Sequence, residues 1–278
     1  IRDPAARKAY MGRNVSTFYE AMERLERERL RELEFDTFVL FDAHWFTTLE
    51  YVLNAHPRLS GIYTSEELPE MLHEMPYDYA GDPELAHAIE LAARERGMHA
   101  LASAHRNLPI HYPTLTVMSY FNLPANARRV LSIGVCQTAS VENDLNFGAA
   151  VSEAVRASAR RVVLVASGGL SHKFWDYDHA REHASASPDD ISLPANRAFD
   201  ERVMEWFQFG RHDKVIGHSQ EYRAQCSPEG RFSHYLMMVG ALGAGRCDWP
   251  GEQFGRYEAA LGTGQAIFFF APAQKIAA

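Results

Sequence analysis

The chain has 278 residues, enough for one large domain or two small ones, and its 46% hydrophobic and 23% charged residues are ordinary for a globular protein. A formal net charge of −8 excludes the basic balance of a general nucleic-acid binder, and no apolar run approaches the roughly 18 residues that span a membrane. Cys136, Cys226 and Cys247 are odd in number and lack CxxC spacing, which points to a reducing cytoplasm and away from a disulfide scaffold.

The chain opens on Ile1-Arg2-Asp3-Pro4, a polar start without Met, and reads as the interior of a longer chain. Ser16 to Leu33 is a charged amphipathic helix with Phe18, Met22, Leu25 and Leu30 at roughly helical spacing. It feeds an apolar β-type run, Thr37-Phe38-Val39-Leu40-Phe41, which continues into Asp42-Ala43-His44-Trp45. Tyr51 to Asn54 reads as a second strand. Asp82-Pro83-Glu84 starts a helix that runs to Gly97. Arg129 to Cys136 is a buried strand, followed by a helix from about Asn143 to Ala159. Val162 to Ala166 is apolar and β-branched and reads as a central strand running into Ser167-Gly168-Gly169-Leu170-Ser171-His172. Residues 195–209 and 231–242 read as helices, and 263–271 as a last buried strand. Strands alternating with helices predict a single α/β domain, a central mixed sheet with helices on both faces. His183 to Asp190 reads as a surface loop and not a domain boundary.

Strand ends are where α/β proteins build their sites, so polar groups just after the apolar runs carry the functional reading. His44 follows the 37–41 run, and Asp42, two residues away, can share its face. Its plainer reading is a strand-end histidine bonded to backbone. Glu258 precedes the run Ala266–Phe270 across Leu261-Gly262-Thr263-Gly264-Gln265; most glutamates, however, are solvated. His172 sits beyond a glycine turn and titrates near neutrality, which suits general acid/base work as well as a plain loop position. His111-Tyr112-Pro113-Thr114 precedes a helix start and can line a pocket. His234, on the apolar Phe232–Leu236 stretch, reads first as a satisfied core histidine. No GxGxxG follows a strand, and neither a P-loop nor a GxSxG elbow is present, which argues against dinucleotide, nucleoside triphosphate and serine-hydrolase chemistry.

These segments resemble the class III extradiol ring-cleaving dioxygenases over nearly the whole chain, in order and in spacing. The resemblance includes Phe41–Trp45, Gly61-Ile62-Tyr63-Thr64-Ser65-Glu66-Glu67-Leu68-Pro69, Tyr77–Leu85, Ala166–His172 and Gly262–Gln265. It implies a non-heme Fe(II) site (Mn(II) is the alternative) with His44 and Glu258 as metal ligands and His172 as acid/base. Tyr112, His111 and His234 would then line the substrate pocket. The implied reaction is cleavage of a catechol by O2 beside the diol, to a muconic semialdehyde. The implied substrate has a small acidic side chain, 3,4-dihydroxyphenylacetate first. An aminophenol, a hydroxypyridone or gallate are the alternatives. The implied protein is a cytoplasmic homo-oligomer, or one half of a hetero-oligomer, with no nucleic-acid or membrane partner.

One departure matters. The family's first ligand lies in an N-terminal His-x-Pro segment after the first strand, and residues 1–278 are expected to be the dioxygenase domain without that strand and ligand. His111 and His234 are the candidates for its substitute. A non-catalytic subunit of the same fold is the competing reading, favoured by that departure. The retention of His44, His172 and Glu258 favours the enzyme. A zinc hydrolase with the same ligands is a third reading and lacks a motif.

Overall fold

The computed structural model describes residues 16–108, 110–123 and 127–273; Ile1 to Pro4 lie outside them. The amphipathic N-terminal segment forms α1 (Phe18–Leu25) and continues as a π-type turn, Glu26–Leu30. Strand β1 is Thr37–Thr47 and β2 is Tyr51–Asn54. A hairpin of β3 (Arg58–Tyr63) and β4 (Met75–Ala80) follows. Next come α2 (Pro83–Glu95), β5 (Ala100–Ser103), α3 (Tyr112–Phe121), β6 (Arg129–Cys136), α4 (Val141–Ala157) and β7 (Val162–Ser167). The C-terminal part holds α5 (Pro194–Gln208), α6 (His212–Cys226), α7 (Ser233–Ala241) and a hairpin of β8 (Gly251–Ala260) and β9 (Thr263–Phe270).

The helix starts follow their local chemistry. Asp82 accepts from the Leu85 amide at 3.2 Å ahead of Pro83, and Ser140 and Asn143 form a capping box at the start of α4. The five-stranded sheet runs β5-β2-β6-β1-β7. Strand β1 is parallel to both β6 and β7, whereas β2 meets β6 antiparallel, which makes the sheet mixed. Alternation along β1 feeds two cores. Val39 and Phe41 join Ile89 of α2, Phe147 of α4 and Leu236 of α7, while Phe38 and Leu40 join Leu30, Phe35 and Met118 of α3. Helices therefore cover both faces, as the alternation of elements predicts.

The position of β7 differs from expectation. Among the described residues it ends the strand order, and all six of its residues are half-buried. Its outer side faces β9 across an apolar cleft lined by Val162–Ser167 and Gln265–Ala271. The β-branched run signals burial by neighbours of any kind, and here part of that cover comes from across a cleft and not from a hydrogen-bonded strand. Strand β9 is likewise half-buried over its last six residues. Helix α6 was not expected. Its buried stripe is His212, Val215, Ser219, Tyr222 and Cys226, helical spacing in which two of the five residues are polar. Among the described residues no helix is long and apolar enough to cross a membrane.

Candidate active site

Because β6, β1 and β7 run parallel, their carboxyl ends open on one edge of the sheet. Asp42 pairs with Gly134 on one side and with Ser167 on the other. The β1–β6 register then slips, and pairing resumes at Phe46 with Val135. Ala43, His44 and Trp45 lie in that irregularity, which re-aims side chains at the rim. Asp42 is fully buried; its Oδ1 accepts from the His44 amide at 2.9 Å and its Oδ2 from Thr114 Oγ1 at 2.9 Å. Asp42 thus fixes the backbone of His44 and the start of α3, rather than the imidazole.

Three backbones converge on this rim through glycine. A Cβ on Gly168 would lie 2.7 Å from the Ala43 Cβ and 2.8 Å from His234 Nδ1, and one on Gly169 would lie 3.1 Å from Glu229 Oε2. No larger residue fits without moving the loop after β7 away from β1.

The carboxylate that meets His44 is Glu229, in the Pro228-Glu229-Gly230 turn between α6 and α7. Its Oε1 lies 2.7 Å from His44 Nδ1 and 3.9 Å from His172 Nε2, and its Oε2 accepts from the Gly169 amide. The His44 nitrogen is buried, and Glu229 Oε1 is the ion-pair partner it faces among the described residues. Burial alone would raise the Glu229 pKa; the two histidines and the Gly169 amide outweigh it and hold the group at about 2. Burial also works to lower the His44 pKa, but Glu229, Asp42 and Glu67 together push it above the ordinary histidine value. Burial lowers His172, with Glu229 opposing.

The turn carrying Glu229 is strained. Gly230, Arg231 and Phe232 all have positive φ, at 54°, 56° and 63°. A buried ion pair holds it. Arg223 Nη2 lies 2.6 Å from Asp144 Oδ2, Arg223 Nε donates to the Arg231 carbonyl at 2.6 Å, and Ser233 Oγ and Tyr51 OH complete the Asp144 carboxylate at 2.7 and 2.9 Å.

The other expected residues fall as follows. The Tyr112 hydroxyl lies 2.5 Å from His44 Nε2, and the two rings meet edge to face. Burial raises the Tyr112 pKa, so the phenol stays protonated. His111 stacks on Trp45 at 5.4 Å with its Nε2 unpartnered, and burial lowers its pKa to about 4. His234 is buried on α7 behind Gly168, its Nδ1 also unpartnered and its pKa lowered by burial to about 4. Glu258 lines the same cleft, where its Oε1 accepts from both the amide and the hydroxyl of Thr17 at 2.6 Å, a contact between β8 and the start of α1. His44, His172, Tyr112 and His234 thus gather, with His111 one ring away behind Trp45, around Glu229, a carboxylate that sequence reasoning did not name. A glutamate between proline and glycine reads as an exposed turn. The usable signal was the largely apolar stretch Tyr235–Ala241 shortly after it, which is buried throughout.

Among the described residues no three His, Cys, Asp or Glu side chains are grouped so as to hold a metal ion. Glu229 and the His44 nitrogen that faces it are nevertheless two donors of the chemistry that a non-heme metal takes, close enough to share one cation. Glu67, Leu68, Met71, Phe46 and Phe174 wall the approach to them.

Residues 2–270 match a family model described as the catalytic LigB subunit of aromatic ring-opening dioxygenase. The chain is 30% identical over 221 residues to 3,4-dihydroxyphenylacetate 2,3-dioxygenase of Escherichia coli, covering 80% of this chain and 79% of that protein. It is 23% identical over 255 residues to the alpha subunit of 2-aminophenol 1,6-dioxygenase of a Pseudomonas species, and 25% identical over 253 residues to the beta subunit. These alignments cover 87% of this chain, and 86% and 79% of the two subunits. The fold is that of the crystal structure of the uncharacterized protein JW3007 from Escherichia coli K12, with a TM-score of 0.60 at 16% identity over 88% of this chain and 90% of that one. The chain belongs to the LigB family, the extradiol aromatic ring-opening dioxygenases. It is an aromatic ring-cleaving enzyme of a non-heme, metal-dependent class.

Proposed function

We propose that the protein cleaves a catechol beside its diol, inserting both atoms of O2 to give a muconic semialdehyde. Its first substrate is 3,4-dihydroxyphenylacetate and its metal is Fe(II). The observation that carries the site reading is the meeting of His44 Nδ1 and Glu229 Oε1 at 2.7 Å, with His172 3.9 Å from the same oxygen, at the carboxyl ends of parallel strands. The substrate reading rests on the Escherichia coli relative.

His44 and Glu229 hold the metal in this reading. When bound, such a metal would bring the diol and O2 together and let ring electron density reach oxygen. The protein does the rest. His172 is neutral near pH 7 because burial lowers its pKa, so its free nitrogen takes the diol proton and later returns it to oxygen. The edge of its ring rests on Phe174, centroids 4.8 Å apart. With His44 Nδ1 on the metal in this reading, its Nε2–H donates to the Tyr112 oxygen, and the phenol O–H is left to donate to a substrate oxygen. The apolar wall of Phe46, Leu68 and Met71 limits water.

Oxygen uptake with the Fe(II)- or Mn(II)-loaded protein, across 3,4-dihydroxyphenylacetate, 2-aminophenol and gallate, tests the substrate. Faster turnover of 2-aminophenol would move the protein toward the Pseudomonas relatives. The two-subunit form of those relatives makes co-purification of a second chain the accompanying measurement. His172→Phe is expected to keep its metal and lose about 10²–10⁴-fold in turnover; full activity would remove the acid/base assignment.

A further inference from the structure

Asp200 lies on α5, outside the candidate site, and is fully buried. Its carboxylate is saturated by four donors from three other parts of the chain. Oδ1 accepts from the Ser171 amide at 3.1 Å and from Tyr222 OH at 2.5 Å; Oδ2 accepts from Ser171 Oγ at 2.7 Å and from Tyr257 OH at 2.6 Å. The fit is closed on the remaining side: a Cβ on Gly264 would lie 2.0 Å from Oδ2. A buried carboxylate without a cationic partner is costly unless its oxygens are bonded in this way.

Two of those four bonds go to the residue next to His172. The same short loop is sutured at every other position. The Leu170 amide donates to Gly264 O at 2.8 Å, the Gly264 amide to Ser171 O at 2.9 Å, the Glu229 amide to Leu170 O at 3.1 Å, and the His172 amide to Cys226 O at 3.2 Å. Two carboxylates grip this loop: Glu229 accepts from the Gly169 amide, and Asp200, outside the candidate site, takes both the amide and the hydroxyl of Ser171; hydrogen bonds to a charged group are the strong ones. Asp200 joins α5, α6 (through Tyr222), β8 (through Tyr257) and the loop after β7 at one point.

We propose that Asp200 is a positioning residue for the ring-opening reaction, setting the direction of the His172 imidazole by clamping Ser171. Resting on the acid/base reading of His172, it predicts an effect that passes through that residue alone. Removing the charge should let the loop sample orientations in which the His172 nitrogen is misplaced, and proximity of that kind is worth about 10²-fold for a displacement near 1 Å. Substrate binding and metal content should change little.

The test is a double-mutant cycle on the metal-loaded protein, Asp200→Asn with His172→Phe, reading kcat, KM and bound metal. Asp200→Asn alone is expected to lower kcat at least about 10-fold, with KM and metal content near wild type. In the His172→Phe background the same change is expected to have no further effect. Equal losses in both backgrounds would overturn the positioning role, since damage to the fold does not depend on His172. An unimpaired His172→Phe would overturn the acid/base reading instead, which separates the two failures. Ser171→Ala removes one of the four bonds and leaves the carboxylate otherwise satisfied. It serves if Asp200→Asn does not fold, with a kcat loss expected in the wild-type background and none beside His172→Phe.

Discussion

Glu229 and Glu258 are both buried glutamates, at 7% and 3% exposure, and their surroundings set them apart. Glu229 touches an imidazole nitrogen that has no other partner, whereas Glu258 is bonded to Thr17. Glu229→Gln is expected to lose metal during dialysis, with apparent affinity down about 10-fold or more, on the scale seen when groups around a metal are removed. Glu258→Gln is expected to retain its metal. Metal analysis of the two dialysed proteins decides, and the opposite ranking would return Glu258 to the site. His44 and His172 stand out in the sequence because each follows a strongly patterned apolar run, and Tyr112 because it precedes a Pro–Thr helix start. Glu229 is not, because its role depends on which strand end the α6–α7 turn folds against.

At the scale of elements, α7 is buried on all sides and carries His234 with it. It crosses α4 through reciprocal glycine contacts: a Cβ on Gly148 would lie 2.2 Å from the Met237 carbonyl, and one on Gly240 would lie 2.5 Å from the Leu145 carbonyl. The obstruction is backbone in both cases, so it cannot move aside as a side-chain end can. Gly148→Val is expected to destabilise the protein by at least about 1–3 kcal/mol, the usual cost of overpacking, and to lower turnover by shifting α7 behind Gly168. Thermal unfolding and oxygen uptake check this; an unchanged Tm would mean that the helices separate freely. Most element boundaries follow from apolar period and caps. Two features do not. The stripe of α6 counts His212 and Ser219 as core, and only their neighbours make that so. The edge position of β7 is likewise invisible in a β-branched run, because composition reports burial and not strand order.

For the whole molecule, the response to acid follows from buried histidines. His212 is fully buried; its Nε2–H donates to the Trp249 carbonyl at 2.9 Å, so its Nδ1 accepts from Tyr235 OH at 2.8 Å. Burial lowers its pKa from 6.5, with the Trp249 carbonyl, Asp213 and Asp248 opposing. The unfolded chain therefore binds the extra proton first. The stability His212 contributes is complete above about pH 6.5 and is lost as pH falls toward its folded value. The urea midpoint is expected to fall between pH 7 and 5, and to fall less steeply in His212→Asn. Equal slopes would mean that His212 does not report on the fold.

The sequence by itself determined the α/β class, the alternating elements and the family, because period, caps and ordered short motifs are local properties of the chain. It also marked His44 and His172 as polar groups that follow apolar β-type runs, although β1 extends through His44 to Thr47. Only the tertiary structure decided which carboxylate joins them, that Asp200 grips the loop beside His172, and that β7 lies at the edge of the sheet among the described residues. Each of these depends on distance in space between segments far apart in the chain. A glutamate in a turn, or an aspartate in a helix, carries no mark of what will later fold against it.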